Sequence, residues 1–271
     1  MSCAACGIIF LDPQPTSNDL EKMYSRGYFE GDYRCGHAGS YFDESARGKL
    51  GSEPLLRKIW NMKRTGDKFL EIGCAGGATL AAARSIGFRV QGIEYSAEAA
   101  ELARKSYDLD VLQGDIFSAG IQDESFDVVY LGDVLEHLLD PVASLKKIYG
   151  ILRPHGMVVV LCPAQTNTMY SRIGFFLYHR AGKRATVQLP PYHVFEYRPA
   201  SITYLVQRTG FKILELKNSA LPPSELVLRG PRIQRMMKKS FQYPNYIITK
   251  LSNRLGDRIE LYGIKEKEKM H

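Results

Sequence analysis

Residues 69–77 of this 271-residue chain, FLEIGCAGG, decide its fold. An apolar run reaches an acid, Glu71, and three glycines follow at Gly73, Gly76 and Gly77. This order predicts a strand, then a tight turn, then the start of a helix. Because glycine has no side chain, the backbone of such a turn can come close to a bound ligand.

The composition is typical of a globular protein without a membrane span. Hydrophobic residues make up 45% of the chain, and no apolar run approaches the ~20 residues that a membrane-spanning helix needs. The N-terminus lacks the basic start and the long apolar stretch of a secretory signal. The odd number of cysteines, five, argues for a reducing compartment. We therefore expect a cytoplasmic protein.

The chain is basic, with a net charge of +7. The excess is concentrated near the C-terminus, in residues 229–239 (RGPRIQRMMKK) and in the final KEKEK. A surplus of this size attracts anionic surfaces in general. No RNA-binding module is recognisable, so nucleic acid is not an expected partner.

Strand-like and helix-like segments alternate from residue 67 onward. The expected strands are 67–73, 88–96, 109–117, 126–131 and 157–164, followed by late strands at 211–217 and 257–265. The expected helices are 78–87, 97–107, 141–156 and 200–211. Such alternation predicts a parallel sheet with right-handed crossovers. Ligands of such sheets bind outside the carboxyl ends of the strands.

Two nucleotide cofactors fit a glycine turn at this place. A dinucleotide site favours G-x-G-x-x-G, whereas the order here is G-x-x-G-G, with Ala75 in place of the middle glycine. Glu71 at the strand end would repel a pyrophosphate but would suit a cation. S-adenosylmethionine is a cationic ligand of this kind, because it carries a sulfonium and an amino group and no phosphate.

Two further acids follow the next strands. Glu94 ends the second strand, where its carboxylate can accept hydrogen bonds from both ribose hydroxyls, although dinucleotide folds place an acid there too. Asp115 follows the third strand and can accept from the adenine amino group, with Ile116 and Phe117 beside the ring. The alternatives are a solvated strand end for Glu94 and a turn-forming role for Asp115.

These stretches resemble class I S-adenosylmethionine-dependent methyltransferases. The resemblance rests on FLEIGCAGG, QGIEYS, QGDIF, FDVVYLGDVLEHLLDP and ILRPHGMVVVLCPA, which span residues 69–164 in the expected order. It implies an α/β Rossmann-like fold whose seven-stranded, mostly parallel sheet ends in an antiparallel last strand, RIELYGIK. It also implies N-terminal and inserted helical cover. Tyr95 and Asp133 would join the acids above in the cofactor site, and Glu71 would lie near the methionine moiety.

The segment DVLEH, residues 133–137, is where the family places the methyl donor and acceptor. Some relatives, including ubiquinone-pathway O-methyltransferases, hold a divalent cation with E-x-x-E-H, whereas here Asp133 replaces the first Glu. Histidine is an unusual ligand for an ion as hard as Mg²⁺, so we expect no metal. Asp133 and His137 are instead expected to be catalytic, with a hydrogen-bond network that shapes the pocket as the alternative for Glu136 and His137.

His193 lies in PPYHVFEY, which resembles the family's late histidine–aromatic loop. Methyl transfer needs a general base only if the acceptor loses a proton as it attacks. His193 or His137 can serve at neutral pH. A structural histidine in an aromatic loop remains the alternative for His193.

The first 50 residues are expected to form a cover segment before the methyltransferase domain at 51–271. Cys3 and Cys6 resemble the second half of a small zinc ribbon, but a structural zinc needs four ligands and only this pair precedes the core. We therefore expect a remnant ribbon without zinc. Tyr28, with Tyr24 and Phe29, is expected to form a lid over the cofactor, with core packing as the alternative.

The acceptor depends on the insertions, residues 165–197 and 219–250. Their aromatic and basic segments could cover an aromatic or lipid-like acceptor or rest on an anionic membrane, and an ordinary lid or dimer surface is favoured. We expect a small-molecule acceptor and transfer to oxygen, with sugars, lipid-linked intermediates and phenols left open. The alternatives are a catalytically silent S-adenosylmethionine-binding protein and an NAD-dependent oxidoreductase, which Glu71 and Ala75 disfavour.

Overall fold

The computed structural model describes residues 1–16, 19, 41–183, 193–220, 222–223 and 232–266. For residues 41–51, 233–234 and 237–238 it describes the backbone alone. The described residues do not include the expected lid residues Tyr24, Tyr28 and Phe29, so the lid at Tyr28 stays a prediction. They also do not include Cys35 and His37, the next cysteine and histidine after Cys3 and Cys6.

Seven strands form one sheet, and two short strands form a second. The strands are β1 Ile9–Phe10, β2 Lys68–Ile72, β3 Arg89–Glu94, β4 Val111–Gln113, β5 Phe126–Gly132, β6 Leu152–Pro163, β7 Phe195–Glu196, β8 Phe211–Ser219 and β9 Arg258–Lys265. The large sheet has the order β4-β3-β2-β5-β6-β9-β8, and β1 pairs with β7.

The large sheet is parallel from β4 to β6, and β9 is antiparallel to both of its neighbours, β6 and β8. This is the Rossmann-like arrangement expected from the sequence, including an antiparallel last strand. The strand order reverses next to β2, so the carboxyl ends of β2, β3 and β5 define a crevice where ligands bind in such folds.

Helices cover both faces of the sheet. They are α1 Tyr41–Met62, α2 Ala78–Ile86, α3 Ala97–Tyr107, α4 Pro141–Ile151, α5 Met169–Arg180, α6 Pro199–Arg208 and α7 Arg232–Ser252. The central strands are buried on both sides, and Val128, Val129 and residues 158–160 are fully inaccessible. Continuous β-branched runs are typical of such strands. No helix of the described residues is both long and apolar enough to span a bilayer.

Two helix starts carry side-chain caps. Ser96 accepts a hydrogen bond from the Ala99 amide at the start of α3. Asp140 accepts one from the Ala143 amide at 2.8 Å, next to Pro141 at the first position of α4. These caps satisfy amides that have no partner inside the helix. The caps therefore fix where the chain turns back after β3 and β5.

Three segments differ from the sequence expectation. The helix expected at 141–156 ends at Ile151, and β6 begins at Leu152 with a register shift against β5. The third strand is limited to Val111–Gln113 because the residues beyond it turn. α1 runs through position 50, so the division of the chain at 50/51 stays a prediction.

The N-terminal strand pairs with a late loop. Ile9 and Phe10 pair with Glu196 and Phe195, and the Leu11 amide donates to the Val194 carbonyl at 3.0 Å. The N-terminal strand is thus held beside the loop that contains Val194, and this loop contacts the DVLEH segment through the hydrogen bond from the Val194 amide to the Glu136 carbonyl.

Candidate active site

The glycine turn after β2 is built from left-handed residues. The φ angles are +70° at Gly73, +48° at Ala75 and +81° at Gly77, which begins α2. Glycine adopts this region without strain, whereas alanine does so at a cost. Gly76 lies between them and is buried.

Protein side chains fill the space beside two of these glycines. A Cβ at Gly73 would lie 2.6 Å from Val134 Cγ2, and a Cβ at Gly77 would lie 2.8 Å from the Cβ of Ala103. The absence of these side chains therefore allows the turn to pack against the DVLEH segment and α3. Ligand contacts of Gly73, Gly76 and Gly77 stay predictions.

Glu94 ties the glycine turn to the next helix. Its Oε2 accepts from the Ala75 amide at 2.8 Å, and its Oε1 accepts from the Ser96 amide at 2.9 Å. The side chain is buried, so the alternative of a solvated strand end is wrong. Burial also raises the pKa of Glu94. Its remaining lone pairs can still accept from ribose hydroxyls, which stays a prediction.

Glu71 is a buried acid whose Oε2 has no hydrogen-bond partner. Burial, and then the charge of Glu94, raises the pKa of Glu71 well above its usual range. A bound cation would favour the charged forms of both acids because opposite charges stabilise each other in a low-dielectric site. The pair therefore fits a ligand such as S-adenosylmethionine that carries positive charge.

The segment after β4 provides a turn and an exposed aromatic ring. The Oδ1 of Asp115 accepts from the amides of Phe117 and Ser118 at 2.9 and 2.7 Å, which confirms a turn-forming role. Ile116 is buried in the core, whereas Phe117 and Tyr95 are exposed. Adenine contacts of Asp115 and Ile116, and a cofactor contact of Tyr95, stay predictions.

Asp133 follows β5 with a φ of +56° and pairs with a distant arginine. Its two carboxylate oxygens accept from Nη2 of Arg258, the first residue of β9, at 2.5 and 2.7 Å. The sequence analysis did not identify Arg258. No local pattern marks it, because the pairing depends on β9 lying beside β6.

Glu136 is the most deeply buried acid of the DVLEH segment. Neither of its carboxylate oxygens has a hydrogen-bond partner in the part of the chain that the structure describes. Burial, and then the charge of Asp133, raises the pKa of Glu136 well above its usual range. The Nε2 of His137 lies 3.8 Å from Glu136 Oε1, too far for a hydrogen bond.

His193 meets His137 edge to face. Their ring centroids are 4.8 Å apart at an interplanar angle of 86°. Burial, and then the charge of His137, lowers the pKa of His193 to about 4. Among the described residues, the buried Nδ1 of His193 has no hydrogen-bond partner. The next residue, Val194, donates its amide to the Glu136 carbonyl at 2.8 Å.

The structure thus brings three possible metal-ligating side chains together. One ligand atom each from Glu136, His137 and His193 lies within 4.8 Å of the others. Asp133, the first acid of the D-x-x-E-H pattern, is outside this set and binds Arg258. The expectation of a metal-free site stays a prediction.

The cysteine pair of the N-terminus forms a tight turn of its own. The Cys3 amide donates to the Ile8 carbonyl, and the Gly7 amide donates to the Cys3 carbonyl, both at 2.9 Å. Hydrogen bonds from the Cys6 and Ala5 amides lower the pKa of Cys3. The expectation of a remnant ribbon without zinc stays a prediction.

The two halves of the site are adjacent. The Val134 side chain fills the space beside Gly73, so the DVLEH segment lies directly against the cofactor turn. His137 lies three residues after Val134 in the same segment. His193, in the loop before β7, packs against the His137 ring. The segment that carries His137 thus lies against the glycine turn, and the buried acids beside that turn fit a cationic ligand.

Residues 70–160 match the family model described as a methyltransferase domain. A solved structure of an S-adenosylmethionine-dependent methyltransferase from Archaeoglobus fulgidus superposes over 83% of this chain and 98% of its own, with a TM-score of 0.56 and 19% identity. Residues 70–160 are therefore similar to a methyltransferase domain, and the chain has the Rossmann-like fold of S-adenosylmethionine-dependent methyltransferases.

Among curated proteins, the chain is similar to the ubiquinone biosynthesis O-methyltransferase of Thiobacillus denitrificans, with 27% identity over 64% of this chain and 78% of that protein. The chain spans only about half the length of several other curated relatives. The structure of the cyclase SpnF superposes over 94% of this chain and 98% of its own, with a TM-score of 0.59 and 16% identity. The fold alone therefore does not fix the reaction.

Proposed function

We propose that this protein transfers a methyl group from S-adenosylmethionine to an oxygen of a small-molecule acceptor, with His193 accepting the proton that leaves that oxygen. The observation that carries the proposal is the buried Nδ1 of His193, which has no hydrogen-bond partner among the described residues and whose ring packs against His137 of the DVLEH segment. A neutral imidazole with a free ring nitrogen is the usual general base of proteins.

The cofactor half supports the proposal through its charge. Glu71 and Glu94 are both buried acids, and Glu71 has an oxygen without a partner. We assign Glu71 to the amino end of the cofactor, Glu94 to the ribose and Asp115 to the adenine amino group. Tyr95 and Phe117 are exposed at the carboxyl edge and would cover the nucleoside.

The cofactor supplies an electrophilic methyl group on a sulfonium, whose carbon–sulfur bond breaks as a carbon–oxygen bond forms to the acceptor. The electron pair of the broken bond stays on sulfur, which becomes neutral. The acceptor hydroxyl loses one proton, and His193 receives it at a ring nitrogen. Most of the rate enhancement would come from holding acceptor and methyl group in line.

His193 is suited to this role because burial keeps it neutral. With a pKa of about 4, almost all of its imidazole is deprotonated at neutral pH and ready to accept. The same burial makes the imidazolium unfavourable, so His193 would hold the proton briefly and pass it on. Asp133 and His137 lie in the same segment and would stabilise or relay that charge.

The acceptor class follows from similarity alone. Transfer to oxygen is the reaction named for the relative from Thiobacillus denitrificans, which methylates during ubiquinone biosynthesis. Phenols are therefore the first acceptors to test, followed by sugars and lipid-linked intermediates.

The test is methyl transfer from radiolabelled S-adenosylmethionine to a panel of phenols, sugars and fractionated metabolite extracts. His193→Asn should lower the turnover number by about 10²–10⁴-fold while cofactor affinity, measured by calorimetry, stays unchanged. His155→Asn is the matched control. His155 is exposed near the amino end of β6, whereas the site lies at the carboxyl ends of the strands, and asparagine tolerates its φ of +64°.

Two outcomes would contradict the proposal. Full turnover by His193→Asn would remove the proton-accepting role. Tight cofactor binding without transfer to any fraction would instead favour a catalytically silent S-adenosylmethionine-binding protein.

A further inference from the structure

The inserted helices α5 and α7 expose an unusual share of apolar surface. Ten of the fifteen exposed large hydrophobic side chains among the described residues lie on these two helices. Single exposed hydrophobics are ordinary on a soluble protein, whereas clusters of them mark a surface that contacts something else.

On α5 the exposed apolar residues form one stripe. Tyr170, Ile173 and Leu177 follow each other at spacings of three and four, and Phe176, 63% exposed, lies beside them. This spacing places the side chains on one face of a helix. None of the residues of α5 is buried, so the stripe is not a core face.

On α7 a second stripe has the same character. Met236, Tyr243, Ile247 and Leu251 are all more than half exposed, and Leu251 reaches 83%. Their spacings of seven and four place them on one helix face. Arg235, Lys239 and Lys250 are exposed on the flank of this face.

The two helices contact each other, and α5 also contacts Arg198, which precedes α6. Phe175 of α5 lies under the guanidinium of Arg198, which is 5.4 Å from the ring centroid. The Met169 amide donates to Oδ1 of the buried Asn245 on α7 at 2.8 Å, and Tyr170 and Phe241 meet edge to face. The two stripes therefore belong to one anchored unit rather than to loose segments.

The charge of these segments has a single sign. Residues 165–183 contain three Lys or Arg and residues 232–256 contain six, and neither segment contains an Asp or a Glu. These nine cations exceed the net charge of the whole chain, +7. Apolar and aromatic stripes with flanking cations are the pattern of helices that lie in the interface of anionic bilayers.

We propose that α5 and α7 form a surface that binds reversibly to an anionic lipid bilayer. The stripes would enter the boundary between headgroups and acyl chains, and the cations would contact anionic headgroups. A second copy of the chain fits this surface less well, because a symmetric contact would bring two wholly cationic faces together. The inference does not depend on the methyl acceptor or on His193.

The test is flotation of the full chain with vesicles of phosphatidylcholine alone and of phosphatidylcholine mixed with phosphatidylglycerol. We expect binding to the anionic vesicles, little binding to the neutral vesicles, and release by salt because exposed charges are screened. Phe176→Ser with Leu177→Ser, and separately Arg235→Gln with Lys239→Gln, should each weaken binding by about tenfold or more.

Val142→Ser with Lys146→Gln is the matched control. It removes one exposed apolar side chain and one exposed cation from α4, away from the proposed surface, and should leave vesicle binding unchanged. Circular dichroism and S-adenosylmethionine affinity, equal to those of the unmodified chain, would show that each variant is folded.

Three results would overturn the proposal. These are no binding to anionic vesicles, equal binding to both kinds of vesicle, and equal loss of binding in the α4 control. Light scattering adds a fourth, since a dimer that Phe176→Ser with Leu177→Ser dissociates would assign the stripes to contact between copies.

Discussion

The two halves of the crevice differ in how their polar groups are satisfied. In the cofactor half, Glu94 accepts from the amides of Ala75 and Ser96, and Asp115 accepts from those of Phe117 and Ser118. Glu71 is the acid of this half that keeps a buried oxygen without a partner among the described residues. In the acceptor half, both oxygens of Glu136 and the Nδ1 of His193 are buried without partners in the described part of the chain. The first half is thus largely preformed by the fold, whereas the second has more hydrogen-bonding capacity left for a ligand.

The halves also differ in how far apart their residues are in sequence. The cofactor half comes from three strand ends within residues 69–118. The acceptor half combines the DVLEH segment with His193, with the strand pair β1–β7 and with Arg258, which lies 125 residues from Asp133. On the proposed assignments, a local motif would hold the cofactor, and residues brought together by long-range packing would hold the acceptor.

The largest effect is expected from removal of Glu94, the acid that connects the glycine turn with α3 in the cofactor half. Glu94→Ala should weaken S-adenosylmethionine binding by about 1–3 kcal/mol, because ribose hydroxyls lose their acceptor. It should also lower the free energy of unfolding, since the amides of Ala75 and Ser96 lose theirs as well. Calorimetry and urea denaturation measure the two effects. Glu98→Ala, an exposed acid in the first turn of α3, is the control.

Unchanged affinity in Glu94→Ala would mean that the ribose is held elsewhere. Loss of stability without loss of affinity would show that Glu94 serves only to connect the turn with α3. Either result would contradict the interpretation of the cofactor half as a preformed ligand site.

A second, smaller effect concerns the packing of the glycine turn. Gly77→Ala should cost about 1–3 kcal/mol of unfolding free energy, because φ is +81° and the new Cβ would press on Ala103. Gly174→Ala is the control. It lies within α5 with no neighbouring atom within 4 Å, so it should be neutral or gain up to about 1 kcal/mol. Equal, small effects in urea denaturation would show that the turn is loosely packed.

The third prediction concerns the one unpaired acid of the cofactor half. The raised pKa of Glu71 leaves it more protonated than an exposed acid, and a bound cation would lower that pKa. Binding of S-adenosylmethionine should therefore release up to about one proton. Calorimetry at one pH in buffers of different ionisation enthalpy measures this release.

Glu71→Gln should remove that proton release. Asp67→Asn is the control and should leave the release unchanged, because Asp67 pairs with Arg89 at the surface. Release that persists in Glu71→Gln would assign the proton to another acid, with Glu94 the nearest candidate because burial raises its pKa too. No release in the unmodified protein would contradict a cationic ligand beside Glu71.

In the acceptor half, the fourth prediction concerns pH. His193 accepts a proton only when it is neutral, and burial lowers its pKa to about 4. The ratio kcat/KM should therefore stay level as pH falls from neutrality and decline only near pH 4. A decline near pH ~6.5, the value for an ordinary histidine, would mean that His193 is exposed in solution or that another group is the base. Circular dichroism at each pH checks that the protein stays folded.

The sequence was sufficient for the fold and for the glycine turn after β2 because both depend on local patterns. The run after residue 157 predicts a buried strand, and FLEIGCAGG predicts the turn. The third strand was predicted too long because Asp115 folds the chain back through two amide contacts. The pairing of Asp133 with Arg258 and of β1 with β7 could not be predicted, since each depends on which strands become neighbours.

The smallest effect is expected from removal of divalent ions. Glu136, His137 and His193 are close enough to ligate an ion, but a metal requires a deprotonated carboxylate, and burial and Asp133 both favour the protonated form of Glu136. Turnover should therefore be unchanged after treatment with a chelator, and elemental analysis should find no bound metal. If turnover is lost on chelation and restored by one divalent ion, Glu136, His137 and His193 would instead be ligands of a metal rather than contacts of the acceptor.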